Sequence, residues 1–191
     1  MPPLSVAWVY VVLAALLGAS AVTDLRSGQI YNVVTYPAIA LGLIGHTFFG
    51  GIMGRGECMG LSGALAGFAM GFFPLLLAWL AGGGSAGDAK LMGAVGALTG
   101  WRFALSALFY GLLVCLLMAV VVMVHKRVFR RTLRRVWRFL VLALAPKGVV
   151  RPTTADSPKV PMGVAFALGA AAALVEVLLH RPGWLLRIGG P

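Results

Sequence analysis

Residues 4–32 read LSVAWVYVVLAALLGASAVTDLRSGQIYN. The run from Leu4 to Val22 contains no charged residue, and it is long enough to cross the roughly 30 Å hydrocarbon core of a bilayer as a helix. It is followed by Asp24, Arg26 and a Ser-Gly pair typical of a turn, after which a second apolar run begins at about Tyr31. This stretch predicts two membrane helices joined by a short polar turn.

The rest of the chain repeats this pattern. Of its 191 residues 60% are hydrophobic and 11% charged, against roughly 45–50% apolar residues in soluble domains. The composition predicts an all-α, polytopic membrane protein of about six transmembrane helices, forming one domain over residues 1–191. The predicted spans are about Leu4–Val22, Tyr31–Phe49, Met59–Ala81, Ala89–Gly100, Phe103–Val124 and Val160–Leu179, of which the fourth is short. Small-residue stripes in the third and fourth spans predict close helix packing.

The basic residues predict the orientation of the chain. With the N-terminus outside, the loops after the first, third and fifth spans face the cytoplasm and hold twelve of the sixteen Lys and Arg residues. The other four are Arg55, Arg102, Arg181 and Arg187. This is a positive-inside distribution, so the formal charge of +11 reflects membrane topology and does not indicate binding to nucleic acid.

Two of the five acidic residues, Asp24 and Asp88, stand at the ends of apolar runs, and a basic residue follows each two positions later. A carboxylate at a bilayer is costly and is usually functional. The predicted topology puts both aspartates at the cytoplasmic face, where they would form an acid/base pair. The sequence also predicts that Asn32 caps the second helix and that Asp88 opens the fourth. The alternative is that both aspartates are ordinary helix-end residues.

Three motifs resemble the type IV prepilin peptidases, bacterial inner-membrane aspartyl proteases related to the GxGD intramembrane proteases. They are D-x-R-x-x-x-I-x-N at residues 24–32, G-D-x-K-L at residues 87–91 and K-V-P-M-G at residues 159–163. The resemblance implies that Asp24 and Asp88 are catalytic. Around them it implies substrate-binding or supporting roles for Arg26, Asn32, Gly84, Ser85, Gly87, Lys90, Lys159, Pro161 and Gly163.

This chain departs from the family pattern in two places. Ser85 replaces the first glycine of the G-x-G-D motif, which we expect to be tolerated because serine is small, and Tyr31 stands where proline is frequent. The chain also lacks the cytoplasmic insertion with cysteine pairs that larger relatives use to methylate the new N-terminus. It therefore resembles the compact form found with Tad/Flp-type pili, which would cleave without methylating.

The resemblance also implies the reaction and its partners. The substrate would be a prepilin, cut after a glycine between its short basic leader and its apolar helix, at the cytoplasmic face of the inner membrane. Two aspartates would activate the water, and no metal or organic cofactor is expected. The three histidines, His46, His125 and His180, have no metal-ligand spacing. Pilus assembly machinery is a further implied partner.

A strongly basic segment follows the fifth span. Apolar residues recur at helical spacing between arginines over residues 125–140, which predicts an amphipathic cytoplasmic helix on anionic lipid, with a loop continuing to residue 158. Three other functions stay open from sequence. They are a GxGD protease that cuts within transmembrane helices, a proton-coupled transporter that uses the two carboxylates as a relay, and a non-catalytic component of a pilus or secretion system.

Overall fold

The computed structural model describes residues 4–54, 59–127, 134 and 161–180. Every regular element in these ranges is an α-helix, which confirms the predicted all-α class. The helices are α1 (Leu4–Ser27), α2 (Asn32–Gly50), α3 (Gly60–Leu80), α4 (Ala86–Thr99), α5 (Trp101–His125) and α6 (Met162–His180).

Four of these helices have the length and apolar composition to cross a membrane. They are the stretches Ala7–Ser27, Asn32–Gly50, Gly60–Leu80 and Trp101–His125. The predicted fourth span is different, because α4 has 14 residues and at 1.5 Å per residue extends only about 21 Å. From Asp88 to Thr99 all its residues except Lys90 are buried. The α4 helix is therefore enclosed by protein, which explains how so short a helix is accommodated.

Glycines allow α3 and α4 to approach until their backbones touch. A Cβ built on Gly67 would overlap the carbonyl oxygen of Gly96 and lie 2.8 Å from the Cα of Gly100. A Cβ on Gly71 would likewise overlap the carbonyl oxygen of Met92. The predicted small-residue stripes are thus confirmed as packing faces, and this close packing helps to position the first turn of α4, which carries Asp88.

A large side chain at position 67 is expected to disrupt this packing. We predict that Gly67→Leu lowers the free energy of unfolding by more than about 3 kcal/mol, because the side chain would meet backbone that cannot move aside. Thermal unfolding in detergent would measure the loss. Gly18→Leu is the control, since Gly18 is exposed in α1 with no atom within 4 Å of a built Cβ. Equal stability of the two variants would contradict the glycine-mediated contact.

The α2 helix contacts α4 near both of its ends. His46 Nε2 lies 2.8 Å from the carbonyl oxygen of Leu98, both within the buried interior. One turn earlier in α2, a Cβ on Gly42 would lie 2.9 Å from the Ala97 carbonyl group. At the other end of both helices, Lys90 Nζ donates to Asn32 Oδ1 at 2.9 Å. The starts of α2 and α4 therefore lie side by side.

The chain divides into two compact units, Met1–Val114 with Pro161–Pro191, and Cys115–Val160. The first unit has one apolar core, built from α1, α2, α4, the first half of α5 and α6; its buried residues include Leu13, Ala38, Val95, Phe103 and Phe166. Of the second unit, the end of α5, the turn to Arg127 and Arg134 are described. The predicted amphipathic helix at 125–140 and loop to 158 lie almost wholly outside the described residues, and the single-domain assignment stays a prediction.

Candidate active site

Asp24 lies in the last turn of α1, because the helix continues to Ser27, three residues past the end predicted at Asp24. Its side chain is only 8% exposed. The backbone N–H of Val164, in the first turn of α6, donates to Asp24 Oδ2 at 3.1 Å. The first four N–H groups of an α-helix lack intrahelical partners, so the α6 terminus provides a natural donor and a favourable dipole for this carboxylate.

Asp88 is held at the start of α4 by a reciprocal capping box with Ser85. The backbone N–H and the hydroxyl of Ser85 both donate to Asp88 Oδ2, at 3.0 and 2.9 Å, and the Asp88 N–H donates to Ser85 Oγ at 3.3 Å. Asp88 is 3% exposed. The expectation that Asp88 opens a helix is therefore confirmed, and Ser85 proves to be the N-cap.

The first turn of α6 contacts both aspartate-bearing segments. A Cβ built on Gly163 would lie 3.0 Å from the Cβ, Cγ and Oδ2 atoms of Asp24, and one built on Gly84 would lie 3.8 Å from the Sδ of Met162. The end of α1, the loop before α4 and the start of α6 therefore converge. Gly163 leaves the space that the Asp24 side chain occupies.

The environment of Asp88 favours its protonated form. Asp88 lies in the first turn of α4, outside the four long apolar helices. Burial raises the pKa of the Asp88 carboxyl above its usual range; the hydrogen bonds from Ser85 lower it, and the nearby charge of Asp24 raises it. A carboxyl that keeps its proton can act as the acid of an acid/base pair.

Lys90 and Asn32 form a polar bridge between the starts of α4 and α2. In addition to its hydrogen bond to Asn32, Lys90 Nζ lies 5.1 Å from the centre of the Tyr36 ring. The prediction that Asn32 caps α2 was wrong. Tyr31 occupies the N-cap position with extended backbone and makes no side-chain cap, and the Asn32 carboxamide instead accepts from Lys90 across the helix interface.

The other predicted site residues have different surroundings. Arg26 is exposed in the last turn of α1 and makes no ion pair with Asp24, although both residues are described. Gly87 packs on Ile30, whose Cβ would lie 3.3 Å from a Cβ at that position. Pro161 precedes α6, and its carbonyl accepts from Ala165 N–H. Lys159 lies outside the described residues.

Two buried hydroxyls near Asp24 were missed from sequence. Ser20 and Thr35 are 0% and 1% exposed, and within the described part of the chain neither hydroxyl has a hydrogen-bond partner. Ser20 lies one turn before Asp24 in α1. Thr35 lies in the first turn of α2, which packs against α1. Isolated hydroxyls in apolar runs give no signal in a sequence.

An unpartnered buried hydroxyl should destabilise the fold. We predict that Thr35→Val raises the free energy of unfolding by about 1 kcal/mol, because burying a hydroxyl without a partner costs about 1–3 kcal/mol. Thermal unfolding in detergent is the measurement. Thr99→Val is the control that should not stabilise, since the buried Thr99 hydroxyl donates to the Val95 carbonyl at 2.7 Å. A loss of stability in Thr35→Val would show that the hydroxyl has a partner.

Comparison with protein-family models identifies a family for this chain. The model of the type IV leader peptidase family matches residues 11–120, which is more than half of the chain and includes both aspartates. No curated protein and no solved structure matches the chain significantly.

Proposed function

The chain belongs to the type IV leader peptidase family, and from this we propose that it is a membrane aspartyl endopeptidase that removes the short basic leader of a type IV or Flp-like prepilin. The observation that carries the proposal is the convergence of Asp24 and Asp88. Both are buried, Asp24 Oδ2 accepts one hydrogen bond and Asp88 Oδ2 accepts two, and the charge of Asp24 raises the pKa of Asp88.

The pair has the chemistry that peptide hydrolysis requires. The ionised carboxylate takes a proton from a bound water, and the water oxygen attacks the carbonyl carbon of the scissile bond. The protonated carboxyl gives its proton to the carbonyl oxygen, which forms a tetrahedral diol. As the C–N bond breaks, the nitrogen takes a proton from the carboxyl that accepted it from water, and the other carboxylate recovers the diol proton. The reaction consumes one water and needs no metal or organic cofactor.

The position of the aspartates supports cleavage at a membrane surface. Asp24 lies in the last turn of α1 and Asp88 in the first turn of α4, so neither is midway along a long apolar helix. A protease that cuts within a transmembrane helix would need its carboxylates nearer the middle of the bilayer. With the positive-inside distribution, the helix ends favour an active site at the cytoplasmic face of the bacterial inner membrane, where a prepilin leader is accessible.

The finer assignment is the compact Tad/Flp-type enzyme, which cleaves without methylating. It rests on the absence from this sequence of the cysteine-bearing insertion of larger relatives. We propose the pilus assembly machinery as the setting in which the enzyme acts. We also propose that the basic residues 125–140 bind anionic lipid.

Co-expression with a Flp-type prepilin tests the proposal. Leader removal should give a faster-migrating pilin, and mass spectrometry of its new N-terminus should place the cut after the glycine that precedes the apolar helix. A cut inside the apolar helix would instead support an intramembrane GxGD protease. No cut with any Flp-type prepilin, together with proton flux in vesicles that depends on Asp24 and Asp88, would support a transporter.

A further inference from the structure

Ser85 stands where the family pattern has glycine, and its hydroxyl contacts a proposed catalytic aspartate directly. Its Oγ donates to Asp88 Oδ2 at 2.9 Å and accepts from the Asp88 N–H at 3.3 Å. A glycine at this position would keep only the bond from the backbone N–H of residue 85 to Oδ2, at 3.0 Å. The hydroxyl therefore doubles the hydrogen bonds that this oxygen receives.

The two bonds act on one oxygen and leave the other free. Ser85 engages Oδ2 through both its N–H and its hydroxyl, and Oδ1 of Asp88 accepts no hydrogen bond within the described residues. Two donors from one residue at a helix N-cap fix the rotation of the carboxyl group about its Cβ–Cγ bond. Oδ1 is then the oxygen available to water or to a substrate carbonyl.

We propose that Ser85 is a positioning residue for prepilin cleavage, whose hydroxyl holds Asp88 Oδ2 and so presents Oδ1 to the attacking water and the scissile carbonyl. The inference rests on the proposed function for its reaction. The hydrogen bonds that carry it belong to this chain's own serine and would be absent with glycine at the same position.

The hydroxyl has a second consequence, for protonation. Its hydrogen bond lowers the pKa of Asp88, against the rise caused by burial and by the charge of Asp24 on α1. The cation of Lys90, on α4 itself, is directed to Asn32 of α2, and a change at residue 85 leaves it in place. Removing the hydroxyl therefore makes Asp88 hold its proton to higher pH.

The experiment compares Ser85→Ala, Ser85→Gly and Ser85→Thr with the wild type in detergent-purified form. Cleavage of a synthetic prepilin is followed across pH, with kcat and KM measured separately. Because hydrogen bonds to charged groups are strong enough to move a pKa by about one unit, the alkaline limb of kcat should shift upward by about one pH unit in Ser85→Ala and Ser85→Gly. Ser85→Thr, which keeps a hydroxyl, should retain the wild-type limb.

The pair of variants separates this role from helix capping. Glycine is a much better N-cap than alanine, so a capping role alone predicts that Ser85→Ala loses stability and activity, that Ser85→Gly does not, and that neither limb shifts. Equal shifts in both variants support the proposal, and an unchanged limb in both overturns it.

A titration without substrate separates this proposal from the proposed function. The infrared band of the Asp88 carboxylic acid, identified by its loss in Asp88→Asn, should titrate about one pH unit higher in Ser85→Ala and Ser85→Gly than in the wild type. If the band shifts and the wild type cleaves no prepilin, the proposed function fails while the contact of Ser85 with Asp88 stands. If the wild type cleaves and the band does not shift, the role of Ser85 is wrong.

Discussion

Asp24→Asn and Asp88→Asn are each expected to lower kcat/KM for prepilin cleavage by about 10³-fold or more. An amide has nearly the size of the carboxylate, but it can neither take a proton from water nor give one to the carbonyl oxygen. Removal of an acid/base group typically costs about 10²- to 10⁴-fold, and each carboxyl here serves in both directions during one turnover. The measurement is cleavage by purified variants at matched concentration.

The aspartate variants should remain folded. In Asp88→Asn the new side-chain amide oxygen can still accept from Ser85, and in Asp24→Asn it can still accept from the Val164 N–H. Glu176→Gln provides a matched control, because it makes the same carboxyl-to-amide change in α6, at a residue that accepts from Tyr110 away from the two aspartates. It should keep wild-type cleavage. Full cleavage by either aspartate variant would remove the aspartyl mechanism.

Gly163→Val should also impair cleavage strongly, although it replaces no ionisable residue. A Cβ at position 163 would lie 3.0 Å from three atoms of Asp24, closer than ordinary van der Waals contact, and the branched side chain of valine would add two more carbons there. The carboxylate would have to leave the position in which it accepts from the Val164 N–H. Because misplacement by about 1 Å can cost about 10²-fold in rate, we expect kcat to fall by about that factor.

Smaller and remote substitutions give the controls for this prediction. Gly163→Ala should lose less activity, because its single methyl group requires Asp24 to shift by only a few tenths of an ångström. Gly18→Val adds the same side chain to exposed α1 surface with nothing within 4 Å and should cleave normally. Wild-type kcat in Gly163→Val would show that the start of α6 does not position Asp24.

The all-α fold and the position of Asp24 and Asp88 at helix ends could be predicted from sequence because their signals are strong. Uncharged runs such as Leu4–Val22 fix a membrane helix by length alone, and a carboxylate beside such a run is conspicuous. The alternation of the runs also put Asp24 and Asp88 at corresponding helix ends, and the structure brings them together through the first turn of α6.

The parts that sequence did not reveal depend on which atoms face each other. The donor to Asp24 is the backbone N–H of Val164, and a backbone group has no signature in the side-chain sequence. In the sequence Ser85 is only a small residue in place of glycine, since its hydrogen bonds depend on the N-cap geometry of α4. Asn32 was assigned to capping by propensity, but its partner Lys90 is 58 residues away. Thr35 lies in an apolar run, where the sequence does not indicate that its hydroxyl is buried without a partner.

A double-mutant cycle on the reconstituted enzyme would test whether Asp24 and Asp88 act as one catalytic unit. The rates to compare are those of wild type, Asp24→Asn, Asp88→Asn and the double variant on one synthetic prepilin. Groups that act together lose nearly all activity when either is removed, so losses do not multiply. We predict that the double variant is no slower than the slower single variant. Losses that multiply, or a single variant that still cleaves at the wild-type rate, would contradict a shared aspartate pair.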